Sequence, residues 1–408
     1  MAQIHEDPLG VDLTAQGVFD DPHPVFSRLR NECPVYWNAS VKGWVLTRYD
    51  DVRRALKDSA LSVEKLEPYA EQTRQRGQTD KLSVVLKDWM VFTDPPRHDV
   101  LRGAMQRAFL ARDVPSLAPR IRTRVSELLA DLPAAGEMDV VADFAYPLPA
   151  TVISDLFGLP REEAPNLKAW SDDLGRFVFN SSDADDKYAR AGAAIEAMVA
   201  RFRDLVRDHR RNPRDDFTTL LLRDGGELTE DEIVHTMTLI LFAGHETTTN
   251  LIASSVITLA KNPPIQALLR REPGVLDDAV EEFLRYAGPV QTVVRLAREA
   301  VEYGDQRIEP GERVFLVLNA ANRDPEMFER PDAFDVARGR NRHVAFGPGV
   351  HFCLGAPLAR LEAKLALEGF LERFEHFELV DSTVSYRPEV VVHGPSALPI
   401  RYTSRSPQ

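Results

Sequence analysis

The sequence predicts a mainly α-helical protein with small β-sheets, folded as a single domain over residues 1–408. Three observations carry that expectation. Apolar residues recur at three- and four-residue spacing through nearly the whole chain. One helix of about 32 residues is bounded by clear start and stop signals. Strand-like segments are few, short and set around turn residues. No Gly/Ser-rich linker, internal repeat or low-complexity tract divides the chain, so the two domains that its length alone would suggest are not expected.

Pro34-Val35-Tyr36-Trp37 and Gly43-Trp44-Val45-Leu46-Thr47 read as two short strands around a turn. Asp94-Pro95-Pro96-Arg97-His98 reads as a helix start, which sets His98 and Arg102 four apart on one face. The long helix opens on the capping box Thr229-x-x-Glu232 and stops at Asn262-Pro263-Pro264. At helical rise it would run ~48 Å. Its middle is apolar nearly all round, which marks a buried helix. His245, Glu246 and Asn250 interrupt it too often for a membrane span. Glu282-Phe283-Leu284-Arg285 lies in a helix ended by Gly288-Pro289. Tyr303-Gly304-Asp305 and Pro310-Gly311 punctuate short strands, one of them Arg313 to Leu318. From Ala356-Pro357 to Phe374 the pattern is again a helix, with proline near its first turn.

Hydrophobic residues make up 44% of the chain, enough for a sizeable core. The net charge of −13 argues against nucleic-acid binding through a generally basic surface. Cys33 and Cys353 are the two cysteines, so no disulfide framework is expected and a reducing, cytoplasmic compartment fits. Met1 to Gly10 holds no apolar stretch suited to a signal peptide or anchor, and a soluble monomer without membrane attachment follows as the expectation.

The densest information lies in Phe346-Gly347-Pro348-Gly349-Val350-His351-Phe352-Cys353-Leu354-Gly355, a lone cysteine among glycines ahead of an apolar helix. A thiolate that ligates a metal in a flat macrocycle must reach it from a tight loop, with backbone amides aimed at the sulfur. Gly347, Gly349 and Gly355 suit that need, because glycine accepts positive φ and lets a flat ligand approach the backbone. The positive end of the following helix would help keep the sulfur of Cys353 ionised. A buried structural cysteine is the ordinary alternative for an isolated residue. The six-residue pattern, however, arises by chance on the order of 10⁻⁸ or less per starting position.

Phe346-Gly347-x-Gly349-x-His351-x-Cys353-x-Gly355 resembles the heme-binding loop of the cytochrome P-450 family, the heme-thiolate monooxygenases. The resemblance runs from about residue 24 to about residue 399, with the family's motifs in order. It implies the cytochrome P-450 fold, heme b (iron protoporphyrin IX) as cofactor and Cys353 as the iron ligand. Thiolate ligation pushes electron density onto iron and favours O–O cleavage.

Ala243-Gly244-His245-Glu246-Thr247-Thr248 sits midway along the long helix and breaks its pattern. A carboxylate beside a hydroxyl in a buried helix is costly unless each is bonded or used. The segment resembles the family's oxygen-activation motif. By that likeness Ala243 and Gly244 leave room for the cofactor, Thr247 hydrogen-bonds dioxygen and holds a water, and Glu246 relays protons from solvent. A helix kink, with threonines bonding back to the preceding turn, is the bland alternative. The likeness also assigns His98, Arg102, Arg295 and His351 to the heme propionates. It assigns Glu282, Arg285 and Arg338 to a buried charge network under the cysteine loop.

The function expected from the likeness is insertion of one oxygen atom from O2 into a mostly hydrophobic small molecule, by hydroxylation, O-demethylation or epoxidation. Electrons would come from a ferredoxin and its reductase, docking near Arg107, Arg360 and Lys364. The substrate pocket would be lined from Leu82 to Phe92, by Phe177-Val178-Phe179, Phe242, Ala243, Val293-Val294 and Val391-Val392. Rival readings are C–C or C–O coupling on the same fold, a peroxygenase, or a heme sensor without turnover. The Glu246-Thr247 pair weighs against the peroxygenase.

Overall fold

The computed structural model describes residues 5–66, 81–111, 113–179, 186–339 and 341–405, with the side chains at 110 and 111 excepted. The ends of the expected 1–408 domain, including part of the Met1–Gly10 reading, lie outside these residues. Among these residues helices dominate, as the apolar spacing predicts, and ten short strands form three small sheets. The strands are β1 (Val35–Asn38), β2 (Gly43–Leu46), β3 (Leu61–Ser62), β4 (Ala135–Asp139), β5 (Thr292–Ala297), β6 (Val301–Tyr303), β7 (Gln306–Ile308), β8 (Arg313–Val317), β9 (Phe374–Leu379) and β10 (Pro399–Ser404). The largest sheet has the order β1-β2-β8-β5-β3, and β2 with β8 is its parallel pair. β4-β10-β9 and β6-β7 make the other two.

The long helix runs Glu230–Ala260, and its start is the capping box read from the sequence. Thr229 Oγ1 accepts from the Glu232 N–H while the Glu232 carboxylate accepts from the Thr229 N–H. Two donors that the first turn would leave unpaired are thereby satisfied. Nearly every residue from Ile233 to Leu259 is buried, because helices pack on the long helix from several sides. The exceptions cluster mid-helix at Ala243, Gly244 and Thr247, which open onto a cavity.

Two further elements close that cavity. Helix Ala356–Arg373 follows the cysteine loop directly, with Gly355 as its N-cap and Pro357 in its first turn, where a missing N–H costs nothing. Strand β5 pairs antiparallel with β8 and places Val293 and Arg295 on one face, two residues apart. Among the described residues no helix is long and apolar enough to cross a membrane.

The sequence reading finds β1, β2, the β6–β7 hairpin around Gly304 and β8, but assigns no strand to β3, β4, β5, β9 or β10. These strands are short and held by partners distant in sequence, such as Ile400 against Met138 and Leu379. Cross-strand pairing rather than local propensity therefore decides them.

Candidate active site

A cavity of about 320 Å³ lies between the long helix, strand β5 and the cysteine loop. The long helix lines it with Leu239, Ile240, Ala243, Gly244, Thr247, Thr248 and Leu251, the stripe that a 3.6-residue period presents to one side. A Cβ on Gly244 would stand 2.6 Å from Ile153 Cδ1, so a side chain here would have to displace Ile153.

The loop brings Cys353 to the opposite wall by two glycine-dependent turns. Gly347 (φ +66) and Gly349 (φ +100) occupy the left-handed region. The Gly347 N–H donates to Val344 O (2.9 Å), and the Cys353 N–H donates to Phe346 O (2.9 Å), which folds the loop back beneath the sulfur. Phe346 is itself covered by the Arg360 guanidinium at 4.4 Å. Gly355 differs from the sequence reading. Its φ of −79 is ordinary, and a Cβ there would meet Cys353 Sγ at 4.0 Å, an ordinary contact, so neither backbone conformation nor a clash within the protein demands glycine here. Burial pushes the Cys353 thiol up, opposed by the N–H groups of Gly355 and Ala356 and by Arg102 and Arg360. A cation at the sulfur would reverse that balance, because a coordinating thiol is deprotonated outright.

All four residues expected to hold carboxylates reach the same cavity: His98, Arg102, Arg295 and His351. The rings of His98 and His351 meet edge-on at 4.4 Å. His98 Nδ1 contacts Asp99 at 3.0 Å, while its buried Nε2 has no hydrogen-bond partner among the described residues. Arg295 is almost wholly buried and, among the described residues, donates only to its neighbour's carbonyl, Val294 O, at 3.2 Å. Burial pushes it down to about 10, partly offset by Asp94. Burial, together with His98, Arg295 and Arg102, pushes His351 down to about 4. Arg102 has no ion-pair partner among the described residues. In a chain of net charge −13, these under-neutralised donors on one apolar cavity call for an anionic ligand. The donor set fits heme: a thiol for iron, a helix turn of small residues at Ala243 and Gly244 for a flat ring, and polar and cationic donors for two carboxylates.

Glu246 is buried one residue before Thr247, and its carboxylate is ion-paired with Arg387. Arg387 also donates to Asn250 Oδ1 at 2.8 Å. The sequence reading missed Arg387, which comes from a C-terminal loop with no local motif to mark it. Thr247 Oγ1 donates to Ala243 O at 3.1 Å and Thr248 Oγ1 to Gly244 O at 3.3 Å, so both hydroxyls back-bond to the preceding turn here.

The network under the loop is assembled from Glu282, Arg285 and Arg338. Glu282 accepts from Arg285 Nε and Nη2 (both 2.8 Å), Arg338 Nε (3.1 Å), Asn341 Nδ2 (3.0 Å) and the Asp335 N–H (2.9 Å). The docking cations fare differently. Arg360 is bidentate on Glu281 (2.5 and 3.0 Å), Lys364 pairs with Asp277 (2.8 Å), and Arg107 donates to Asp224 O (3.1 Å). Two of the three are thus neutralised, and reversing their charge would break these pairs as well as any docking contact.

Of the expected pocket wall, Met90, Val91, Ala243 and Val293 line the cavity. Phe242 instead stacks behind it between Trp89 (5.4 Å) and Phe179 (5.1 Å). The remaining wall is mostly aliphatic, including Leu239, Ile240, Leu251 and Val290.

The family model for cytochrome P-450 matches residues 20–398 of this chain. Cytochrome P-450 107B1 of Saccharopolyspora erythraea is 40% identical over 399 residues, covering 93% of this chain and 95% of that protein. Vitamin D(3) 25-hydroxylase of Pseudonocardia autotrophica is 38% identical, with 97% of each covered. The crystal structure of P-450 BioI in complex with a fatty-acid-ligated acyl carrier protein superposes with a TM-score of 0.88 at 35% identity, covering 95% of this chain and 99% of that one.

Proposed function

This chain belongs to the cytochrome P-450 family and is an oxidoreductase, and from that premise we propose that it is a monooxygenase placing one oxygen atom from O2 into a mostly hydrophobic small molecule. The observation that carries this reading is the cavity itself, which unites Cys353, the under-neutralised cations and the open turn of the long helix. Heme b, when bound, supplies the redox chemistry, taking electrons one at a time and cleaving dioxygen.

Cys353 is the proposed iron ligand, its sulfur hydrogen-bonded by the Gly355 and Ala356 N–H groups that tune it. His98, Arg102, Arg295 and His351 hold the two propionates, and Phe346, Gly347 and Gly355 form the seat of the ring. Ala243 and Gly244 admit the ring and the oxygen against the long helix. Thr247 swings its hydroxyl from Ala243 O to hold a water in the cavity. Glu246, kept in place by Arg387, passes protons toward it. The aliphatic wall excludes bulk water and selects apolar substrates.

Hydroxylation, O-demethylation and epoxidation all suit this site, and relatives of this chain include a hydroxylase and an epoxidase. A ferredoxin with its reductase is the proposed donor, in a cytoplasmic, monomeric enzyme. The test is a spectral-shift screen of the heme-loaded protein over terpenoids, fatty acids, steroids and macrolide intermediates. Hits then go to turnover with a surrogate ferredoxin and reduced nicotinamide. Oxygen uptake coupled to an oxygenated product supports the reading. A normal heme spectrum without coupled product, for every compound that shifts it, favours a sensor and overturns monooxygenation.

A further inference from the structure

A second opening, a surface cleft of about 500 Å³, shares no lining residue with the heme cavity. It lies between helix Ala118–Ala130 and the end of helix Pro147–Phe157. Arg120, Thr123 and Arg124 fall on one face of the first helix and line the cleft together. Gly158 (φ +71) ends the second helix in the left-handed region, and Arg161 joins the lining three residues later. Three guanidiniums thus meet one carboxylate, Asp155, in a concave site. Arg120 and Arg124, four apart on their helix, repel each other. The carboxylates at hand converge on Arg124, which pairs with Glu127 and with Asp155 (3.3 Å). Glu163, close to Arg161 in sequence, is taken by Arg201 (2.6 and 2.8 Å). Arg120 and Arg161 are exposed and have no ion-pair partner among the described residues. Solvated arginines are ordinary on a flat surface. Here they share a cleft that adjoins an apolar recess at Leu117, Val152 and Leu156, and low-dielectric walls concentrate their field. In a chain of net charge −13, such a place favours an anion.

We propose that this cleft binds a small organic phosphate, with Arg120 and Arg161 on the phosphate group and Leu159 and Pro160 against the organic part. The guanidinium fork matches phosphate oxygens two at a time and keeps its charge at any physiological pH. A bare inorganic anion would leave most of the cleft to water, whereas an organic portion covers the apolar residues Leu159 and Pro160 that line it. Arg124 is held by its two carboxylates and so leaves the anion to its neighbours. Asp155 bonds Arg124 through Oδ2, and its other oxygen can accept from a ligand hydroxyl. The site is independent of the heme reading, and binding there involves no covalent step.

The test is calorimetric titration of the heme-loaded protein in phosphate-free buffer at about 0.15 M ionic strength. The probes are adenosine monophosphate, glucose 6-phosphate, inorganic phosphate and adenosine. At least one of the two phosphate esters should bind at a single site, about three-fold or more tighter than inorganic phosphate, while adenosine gives no heat. In Arg120→Gln/Arg161→Gln that affinity should fall about ten-fold or more. Arg28→Gln/Arg207→Gln removes the same charge from exposed positions elsewhere and should leave it within about two-fold. The Soret band should not move on binding, because the heme cavity is not entered. Both pairs lie on the surface, and a melting temperature matching wild type confirms that lost binding is not lost fold. No binding by either ester, an affinity no better than that of inorganic phosphate, equal losses in the two double variants, or a shifted Soret band would each overturn the proposal.

Discussion

Replacing Glu282 by alanine removes the only carboxylate paired, among the described residues, with two guanidiniums of the loop scaffold. The Arg285 and Glu282 side chains are 0% and 1% exposed and that of Arg338 is 10% exposed, so water cannot take over the lost contacts. Arg285 would keep its bonds to the carbonyls of Asn322, Pro331 and Ala333, which hold its N–H groups but supply no net charge. Breaking a buried pair from one side costs about 3–5 kcal/mol, because the surviving charge is left uncompensated. At roughly 2.1 cal/mol/K of unfolding entropy per residue, a chain of this length loses about 1.2 °C per kcal/mol. A fall in Tm of about 4–6 °C follows. Because Glu282 also accepts from the Asp335 N–H and from Asn341, the segment leading into the cysteine loop loosens with it. Thermal unfolding followed by far-UV dichroism and by heme absorbance reads both effects. Absorbance should fall first in Glu282→Ala, while the two probes coincide more closely in wild type. A Tm within 1 °C of wild type with full heme content would refute the reasoning.

Gly244→Ala places a Cβ 2.6 Å from Ile153 Cδ1, the far end of a flexible side chain. The overpacking should cost about 1–3 kcal/mol and weaken heme retention on dilution; unchanged stability and unchanged heme loss would show that the helix turn is not tight. Glu362→Gln, at a buried carboxyl of helix Ala356–Arg373 that lines the heme cavity, should change the pH dependence of stability in a defined sense. The folded protein holds a proton with a pKa of about 8, against an ordinary value of 4.5, so the stabilisation is complete below 4.5 and is lost as pH rises through about 8. The Tm of Glu362→Gln relative to wild type should therefore climb by a few degrees from pH 5 to pH 8, and parallel curves would contradict it. Arg387→Met removes the cation paired with the buried Glu246 carboxylate. Oxygenated product per nicotinamide oxidised should fall as Glu246 loses its fixed place, and unchanged coupling would count against the Glu246 relay.

The features legible in the sequence are those written in local signals. The capping box at Thr229, the proline stop at Asn262, the glycines of the cysteine loop and the break at Ala243-Gly244 each depend on a few adjacent residues. Each reappears in the structure where its local chemistry puts it. Cys353, Thr247 and Arg102 sit in recognisable motifs, whereas Arg295 is placed by the family likeness alone, on a strand the local pattern does not mark. Arg387 could not be found that way, because its role comes from a loop that reaches Glu246 across 141 positions of sequence. Glu362 left a trace that went unread, as an acid at helical spacing from Leu358 on an apolar stripe. Strands β9 and β10 escaped because pairing partners, not propensities, create them. Phe242 was misplaced because an aromatic residue on a buried helix can face a cavity or the core, and only its stacking on Trp89 and Phe179 decides between them.

The account stands most directly on the sulfur of Cys353. The measurement is the carbon monoxide spectrum of the reduced protein, for wild type and for Cys353→Ser. Thiolate ligation predicts a strongly red-shifted Soret band in wild type that vanishes in the serine variant. A serine variant that kept the same shifted band would place the iron ligand elsewhere and contradict the assignment of this cavity.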